Sequence, residues 1–581
     1  MSERRYQGAR GEAGPGGEGP DGGPTVREAT LQVLHEYGLT TLFANPGSTE
    51  VAFLTDLPES LSFVLALHEG SVVGMATGWA LACGRPALVQ LHTTAGLGNA
   101  VGALATARVN RAPMVVLVGQ QDRRHLALEP FLTGDLHGLA GDYPVHVAEP
   151  AVPQDVPGAV ARAHHEAVHG RGPALVIVPQ GDWTAPAHPD GTAVPPPERA
   201  AASRVVAASG VEDTDVHELA ALVVGARAPA LVTGAGADSE QGWAALAELA
   251  EHLDAPVFQE SFGARAGFAQ DHPRYAGVLP ADRGRLRETL AGHDVVLAVG
   301  APVFRQYGYT PGPLVEPGTR LALITDLPAE AHRSPVEIAV LAPVAPALRA
   351  LLRHLPPRAE RDVRTSFGAG RVVPAVEPRS LAVSGADSDS PAGPVSEGPL
   401  RPADVMAALA TRLDADTVIV EETPSSRPDL HRLLPARRPL GFVSAAMGGL
   451  GFALPAATGL RMGAPHRPVV AVVGDGSALY QVQALWSAVR YGTGVLFLVL
   501  ANGRYAIMDR LAEAHGGKAP WPGFEQVSLS ALATGLGCPA RGVSTRDDLS
   551  AALDEIVPTL RERTEPVLLD VAVAPDPEFR P

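Results

Sequence analysis

The stretch Pro468–Met508, PVVAVVGDGSALYQVQALWSAVRYGTGVLFLVLANGRYAIM, decides how the rest of this 581-residue chain is read. Its apolar run Val469–Val473 predicts a buried parallel strand. Gly474-Asp475-Gly476-Ser477 follows, then Leu479, Val482, Leu485, Trp486 and Val489 at helical spacing. A second apolar run, Val495–Leu500, ends at Ala501-Asn502-Gly503. The whole reads as a βαβ unit. Asp475 closes the first strand, and Asn502, 27 residues on, closes the second. Both then emerge at the carboxyl edge of one sheet, where open α/β proteins bind ligands. Neighbouring strands lie about 4.8 Å apart, close enough for both side chains to reach one ion.

The glycines suggest a phosphate loop, yet Asp475 stands among them. A carboxylate beside a pyrophosphate is repulsive unless a cation lies between the two. Asp and Asn side chains, a backbone carbonyl and phosphate oxygens together suit Mg²⁺. The dinucleotide fingerprint fails, because its third glycine position holds Leu479.

Length and composition bound the remainder. The chain is long enough for about three or four domains. Its net charge of −17 makes nucleic acid an unfavourable partner. Cys83 and Cys538 are its only cysteines, which excludes a disulfide framework and fits a reducing cytoplasm. Residues 1–25 are rich in glycine and charge without an apolar core, so they read as a disordered tail rather than a signal peptide. No apolar run is long enough for a membrane span.

Strand and helix patterns alternate from Val26 to about 190, as a doubly wound α/β domain requires. Strands are expected at Thr41–Ala44, Phe63–Ala66, Ala87–Leu91, Met114–Val118 and Ala174–Val178. Helices are expected at Val26–Tyr37, Glu69–Ala82 and Gly98–Val109. After a Pro-rich linker, residues 205–355 form a second α/β unit, with strands at Ala230–Thr233, Val257–Phe258, Val295–Val299 and Leu321–Ile324. Gly234-Ala235-Gly236 hints at a nucleotide there, but Asp238 and Ser239 break the pattern and a spacer domain is the better reading. Residues 365–400 are rich in Ser, Pro, Gly and Asp and read as a linker. A third α/β domain covers 401–581. The first and third domains share one strand-loop-helix grammar, which suggests a duplicated fold.

Three residues near strand ends in the first domain can carry chemistry. Ser48 follows Asn45-Pro46-Gly47, a place that equally suits a helix N-cap. Glu69 opens a helix, where the dipole favours an acid, and its apolar flanks point to burial. His92 ends the strand of Leu91 and precedes Thr93-Thr94-Ala95-Gly96.

GDGS followed by an asparagine at this distance resembles the metal and diphosphate motif of thiamine-diphosphate enzymes. NPGSTE at 45–50, LALHE at 65–69, LHTTAGLGNAVGAL at 91–104, APVFR at 301–305 and GGLGFALP at 448–455 resemble the benzoylformate decarboxylases within that family. The resemblance implies three doubly wound parallel-sheet domains, binding the cofactor's pyrimidine, forming the centre, and binding its diphosphate. It implies thiamine diphosphate and Mg²⁺ as cofactors. Glu69 matches the acid that exchanges a proton with the aminopyrimidine, and Leu450 matches the residue that holds the cofactor bent. The Gly448 carbonyl matches the acceptor of the cofactor's amino group. Asp475, Asn502 and the Arg504 carbonyl match metal ligands. Asn45, Ser425, Gly476 and Ser477 match diphosphate contacts. Ser48 and His92 match substrate-facing groups. The family's cofactor bridges two chains, so a homodimer is the implied minimum and a homotetramer the expected form.

Three departures bear on the substrate. Tyr307 stands where the family has a second catalytic histidine, and tyrosine, with an ordinary pKa of about 10, shuttles protons poorly near neutrality. Pro424 replaces a hydroxyl residue. Ile507, which with Leu511 should line the substrate pocket, is larger than the family's usual residue. The expected activity is non-oxidative decarboxylation of a 2-keto acid to an aldehyde by a lyase. The alternatives are a carboligase of the acetolactate synthase or benzaldehyde lyase type, and an inactive binding protein of the same fold.

Overall fold

A computed structural model describes residues 23–188, 202, 204–206, 210–356 and 399–575. The expected tail at 1–25 and linker at 365–400 lie almost wholly outside these residues. Three six-stranded parallel sheets carry the described chain. The α/β expectation holds for all three.

The first sheet has β1 (Thr41–Ala44), β2 (Ser62–Leu65), β3 (Ala87–Leu91), β4 (Met114–Gln120), β5 (His146–Ala148) and β6 (Pro173–Pro179), in the order β2-β1-β3-β4-β6-β5. The central sheet has β7 (Pro229–Thr233), β8 (Val257–Gln259), β9 (Tyr275–Val278), β10 (Val295–Val299), β11 (Arg320–Thr325) and β12 (Ile338–Leu341), in the order β12-β11-β10-β7-β8-β9. The third has β13 (Val418–Glu422), β14 (Phe442–Ser444), β15 (Val469–Gly474), β16 (Leu496–Ala501), β17 (Ala540–Val543) and β18 (Val567–Ala572), in the order β14-β13-β15-β16-β18-β17. The first and third orders are the same when counted from each sheet's first strand. That supports the duplication inferred from sequence.

The sheets are covered on both faces, as parallel sheets must be. In the third, alternate strand residues enter two different cores. Val470, Val472, Leu496 and Leu498 pack with the helices Pro402–Ala410 and Arg546–Ile556. Val469, Ala471, Val473, Phe497 and Val499 pack with the helices Ala453–Gly463 and Ala484–Arg490. A run apolar at every position therefore makes sense, because both of its faces are core.

By its internal contacts the chain forms two units. One comprises 1–65, 85–104 and 113–205; the other comprises 66–84, 105–112 and 206–581. The helix Glu69–Cys83 thus groups with the third sheet, and it lies backbone to backbone with Ala453–Gly463. A Cβ on Gly78 would come within 2.0 Å of the Ala456 carbonyl oxygen, and one on Gly459 within 1.9 Å of Met75 O. Only hydrogen fits at either position.

Some expectations need correcting. The helix predicted across Leu479–Val489 is interrupted: Asp475–Ala478 is one helical turn, Leu479–Gln481 is 3₁₀, and Ala484–Arg490 resumes the α-helix. The bonds Leu485 N to Val482 O and Trp486 N to Gln483 O, each three residues apart, mark the tightened turn. The helix expected from Gly98 begins at Thr93, directly after His92. The edge strands β5, β9 and β12 carried too few buried apolar residues to be read from sequence.

Candidate active site

Within the second unit, β15 and β16 are parallel neighbours, with Gly474 opposite Leu500. This register brings Asp475 to the loop after β16. Its Oδ1 accepts from Gly476 N at 2.8 Å and its Oδ2 from Gly503 N at 2.6 Å. Asn502 Oδ1 accepts from Arg504 N at 3.1 Å, so Asp475, Asn502 and Arg504 share one turn. Asp475 is 7% exposed, and burial raises its pKa above the ordinary value despite the backbone donors. Among the described residues no arginine, lysine or histidine pairs with it. Two charge-assisted hydrogen bonds return about 1.5–3 kcal/mol each, against several kcal/mol for desolvating a carboxylate. A cation would close that gap. No three His, Cys, Asp or Glu side chains gather among the described residues, so a metal here needs mixed oxygen donors.

Gly476 and Ser477 are buried in the turn that starts at Asp475. Ser425 follows β13 at the same sheet edge. Between β14 and the helix Ala453–Gly463 runs Gly448-Gly449-Leu450-Gly451, with φ of +68° at Gly448 and +91° at Gly451. Glu422, at the end of β13, grips this turn. Its Oε1 accepts from Gly451 N at 2.5 Å and its Oε2 from Ala453 N at 2.6 Å. Burial pushes the Glu422 carboxyl up to about 8. Sequence reading passed over Glu422, and its only signal was an acid closing an apolar strand run.

Glu69 is the first residue of its helix and is 7% exposed. The N-cap is His68, whose Nδ1 accepts from Gly70 N at 3.0 Å. Ile507 and Leu511 lie one turn apart on the helix Ala506–Ala514, which buries none of its residues completely. Tyr307 is 61% exposed, and its ring meets Phe262 edge-on at 6.3 Å. No hydrogen bond or ring contact among the described residues joins Tyr307 to Ile507 or Leu511.

Within the first unit, His92 Nδ1 lies 3.0 Å from Glu50 Oε2 and 3.0 Å from Thr49 Oγ1. Glu50 is fully buried and also accepts from Gly47 N at 2.7 Å and from the Thr49 hydroxyl. A Cβ on Gly119 of β4 would come within 1.7 Å of Glu50 Oε1, so the carboxylate is walled in. A carboxylate on Nδ1 orients the ring and leaves Nε2 for a reacting group. Sequence reading quoted Glu50 only inside a motif and missed this role. Ser48 is exposed beside it, in a 3₁₀ turn whose cap position is Gly47, so the N-cap reading of Ser48 does not hold. Asn45 follows β1 at the same edge.

The central sheet follows the strand order of dinucleotide-binding domains. Its switch point is nevertheless filled. Gly236 N donates to Gly300 O, and the Arg111 guanidinium lies where a Cβ on Gly236 would come within 2.5 Å of Nη1. Arg111 is buried and paired with Asp326 at 2.6 Å and Glu330 at 2.7 Å. That favours the spacer reading.

Comparison with known proteins matches three domains of thiamine pyrophosphate enzymes: the N-terminal TPP binding domain at 24–141, the central domain at 216–351 and the C-terminal TPP binding domain at 425–571. A benzoylformate decarboxylase of Pseudomonas aeruginosa is 37% identical over 94% of this chain and 98% of its own. The chain belongs to the thiamine pyrophosphate enzyme family. A putative acetolactate synthase large subunit of Mycobacterium tuberculosis is 28% identical over 90% of this thiamine pyrophosphate enzyme and 95% of its own chain. The solved 4-hydroxybenzoylformate decarboxylase of Rhodococcus jostii superposes with a TM-score of 0.82 at 33% identity, covering 95% of this enzyme and 100% of that chain. Benzoylformate decarboxylase from Polynucleobacter necessarius gives 0.83 at 31% identity, covering 96% and 99%.

The residues present fit the cofactor. The unpaired buried Asp475 suits a cation carrying a diphosphate, and the Gly448–Gly451 turn leaves Leu450 half-buried beside open backbone. No helix of the described residues is long and apolar enough to cross a membrane.

Proposed function

We propose that this enzyme decarboxylates a 2-keto acid to the aldehyde and CO₂, using thiamine diphosphate held through Mg²⁺, with Ile507 disfavouring a bulky aryl group. The observation that carries the reading is the 37% identity, over nearly the whole of both chains, to a benzoylformate decarboxylase. When bound, the cofactor supplies the electron sink for the bond to carbon dioxide, and the protein supplies orientation and electrostatics. Asp475, Asn502 and the Arg504 carbonyl would hold the metal; Asn45, Ser425, Gly476 and Ser477 would contact the diphosphate. With thiamine diphosphate bound, Glu69 would hold and exchange a proton at the pyrimidine, the Gly448 carbonyl would accept a hydrogen bond from the amino group, and Leu450 would pack against the cofactor. Ser48 positions the substrate carboxylate. His92, oriented by Glu50, moves a proton at Nε2. Ile507 and Leu511 bound the substrate's side chain. The enzyme works as a cytoplasmic homodimer at least, with a homotetramer as the expected form, and both cysteines are free thiols.

Incubating the protein with thiamine diphosphate, Mg²⁺ and a panel of 2-keto acids, with products identified by mass, tests this. Cofactor-dependent aldehyde and CO₂ are expected. Absence of CO₂ release from every member would leave the inactive binding protein.

Carboligation is a second reading, supported by Tyr307 at the place of the family's second histidine. A well-placed general acid contributes about 10²–10⁴-fold. Without it the decarboxylated substrate, still bound, waits longer for its proton and has more time to add to an aldehyde supplied in the mixture. Tyr307→His should shift products from 2-hydroxyketone toward simple aldehyde in a mixed incubation. An unchanged ratio and rate would make the substitution neutral.

A further inference from the structure

One side chain joins the Leu450 turn to the first turn of the Glu69 helix. Gln481 lies in the 3₁₀ turn that interrupts the helix after Asp475. Its Oε1 accepts from the Ser71 hydroxyl at 2.5 Å and from Gln483 Nε2 at 3.0 Å. Its Nε2 lies 3.3 Å from His68 Nδ1, the atom that caps the Glu69 helix. Ser71 is fully buried. The stem of Gln481 fills the gap between two glycines. A Cβ on Gly70 would come within 2.6 Å of its Nε2, and one on Gly451 within 2.6 Å of its Cγ.

The chemistry selects an amide here. Ser71 and Gln483 need an acceptor, and His68 Nδ1, an acceptor whose one lone pair already takes the Gly70 N–H, is compatible with an N–H group beside it but not with a second acceptor. Glutamine offers both on one short, planar group. A glutamate would set an acceptor against the ring nitrogen, and an apolar side chain would leave the buried Ser71 hydroxyl without this partner.

We infer that Gln481 is a positioning residue that sets the Glu69 turn and the Leu450 turn against each other within one chain. The inference rests on the thiamine diphosphate reading above. If Glu69 of one chain serves the cofactor held by another, Gln481 connects two cofactor sites through a single side chain. A displacement of about 1 Å at either turn can cost about 10²-fold in rate.

The first test needs no cofactor. Amide hydrogen exchange of the full-length protein is followed by mass spectrometry in peptides covering 67–73 and 447–452. In Gln481→Ala both peptides should exchange at least about tenfold faster. In Gln481→Met, which keeps the bulk but not the bonds, the first should loosen while the second stays protected. Wild-type protection of 67–73 in both variants would overturn the inference. Should Gln481→Ala not fold, Gln481→Met decides. The second test follows exchange of the thiazolium C2 proton by NMR with thiamine diphosphate and Mg²⁺ bound. In Gln481→Met and in Ser71→Ala the exchange should slow at least about tenfold, the double variant should be no slower than either single, and calorimetric affinity should stay within about threefold. Additive losses, or none, would reduce Gln481 to a packing residue. If wild type itself binds no thiamine diphosphate by calorimetry, the cofactor reading fails, and the amide exchange still decides whether Gln481 holds the two turns.

Discussion

At the scale of single residues, burial sets the chemistry. Asp475 sits desolvated at a sheet edge with two backbone donors and, among the described residues, no cationic side chain paired with it. Asp475→Ala should weaken thiamine diphosphate binding by at least about 100-fold in calorimetry with Mg²⁺ present, as for loss of a direct metal ligand. Unchanged affinity would remove Asp475 from the metal set. Glu422 offers a test through pH. Burial raises its pKa from an ordinary 4.5 to about 8 in the folded chain. The folded form then holds its proton more tightly than the unfolded chain does. The contribution is therefore fully present below about pH 4.5 and is lost as pH rises through about 8. Glu422→Gln does not titrate, so wild type loses stability over this window and the variant does not. The variant will melt lower at pH 5, having lost one of two backbone hydrogen bonds. The gap in Tm should move in its favour between pH 5 and pH 9, measured by scanning calorimetry. A constant gap would show that the backbone donors hold Glu422 ionised throughout.

At the scale of elements, the site depends on two helices meeting without side chains between them. Glu69–Cys83 and Ala453–Gly463 touch at Gly78 and Gly459, and the first presents Glu69 while the second follows the Leu450 turn. A methyl group at Gly78 must push the backbones apart. Gly78→Ala should cost about 3 kcal/mol or more, at the upper end of overpacking penalties, and should lower cofactor affinity with it. Gly535→Ala, at a helical position with open space around it, is the control and should change stability by less than about 1 kcal/mol. Denaturant melts of the two variants decide. Equal, small effects would show that the helix pair can yield. The 3₁₀ interruption at Leu479–Gln481 belongs to this scale too, since it turns Gln481 toward Ser71.

At the scale of the whole molecule, two sheets of one strand order precede and follow, along the chain, a sheet of another order. Parallel-sheet edges with a switch point make ready ligand sites, and this chain has filled the central one with the ion-paired Arg111. Large apolar side chains remain outside, among them Phe131 at 87% exposed and Leu128 at 82%. The homodimer proposed above would offer such side chains a surface to pack against. Specific activity should fall together with sedimentation coefficient as the enzyme is diluted, and excess cofactor should shift both to lower protein concentration. A monomer with full activity would overturn the shared-site reading.

Sequence alone determined what is local. Continuous apolar runs such as Val469–Val473 and Val295–Val299 read as strands buried on both faces, and both are strands. GDGS before a helix, with Asn502 after the next strand, pointed to the anion end of the proposed site. Glu69 and His92 were legible because each stands where a strand or its loop gives way to a helix. The tertiary structure alone decided what depends on chain brought from afar. Glu422 meets Gly451 from 29 positions away, His92 meets Glu50 from 42, and Gln481 meets Ser71 from 410. Period and spacing report neighbours a few residues apart on one element. They carry no term for a hydrogen bond closed across elements, nor for space that a glycine leaves to a side chain from another part of the fold.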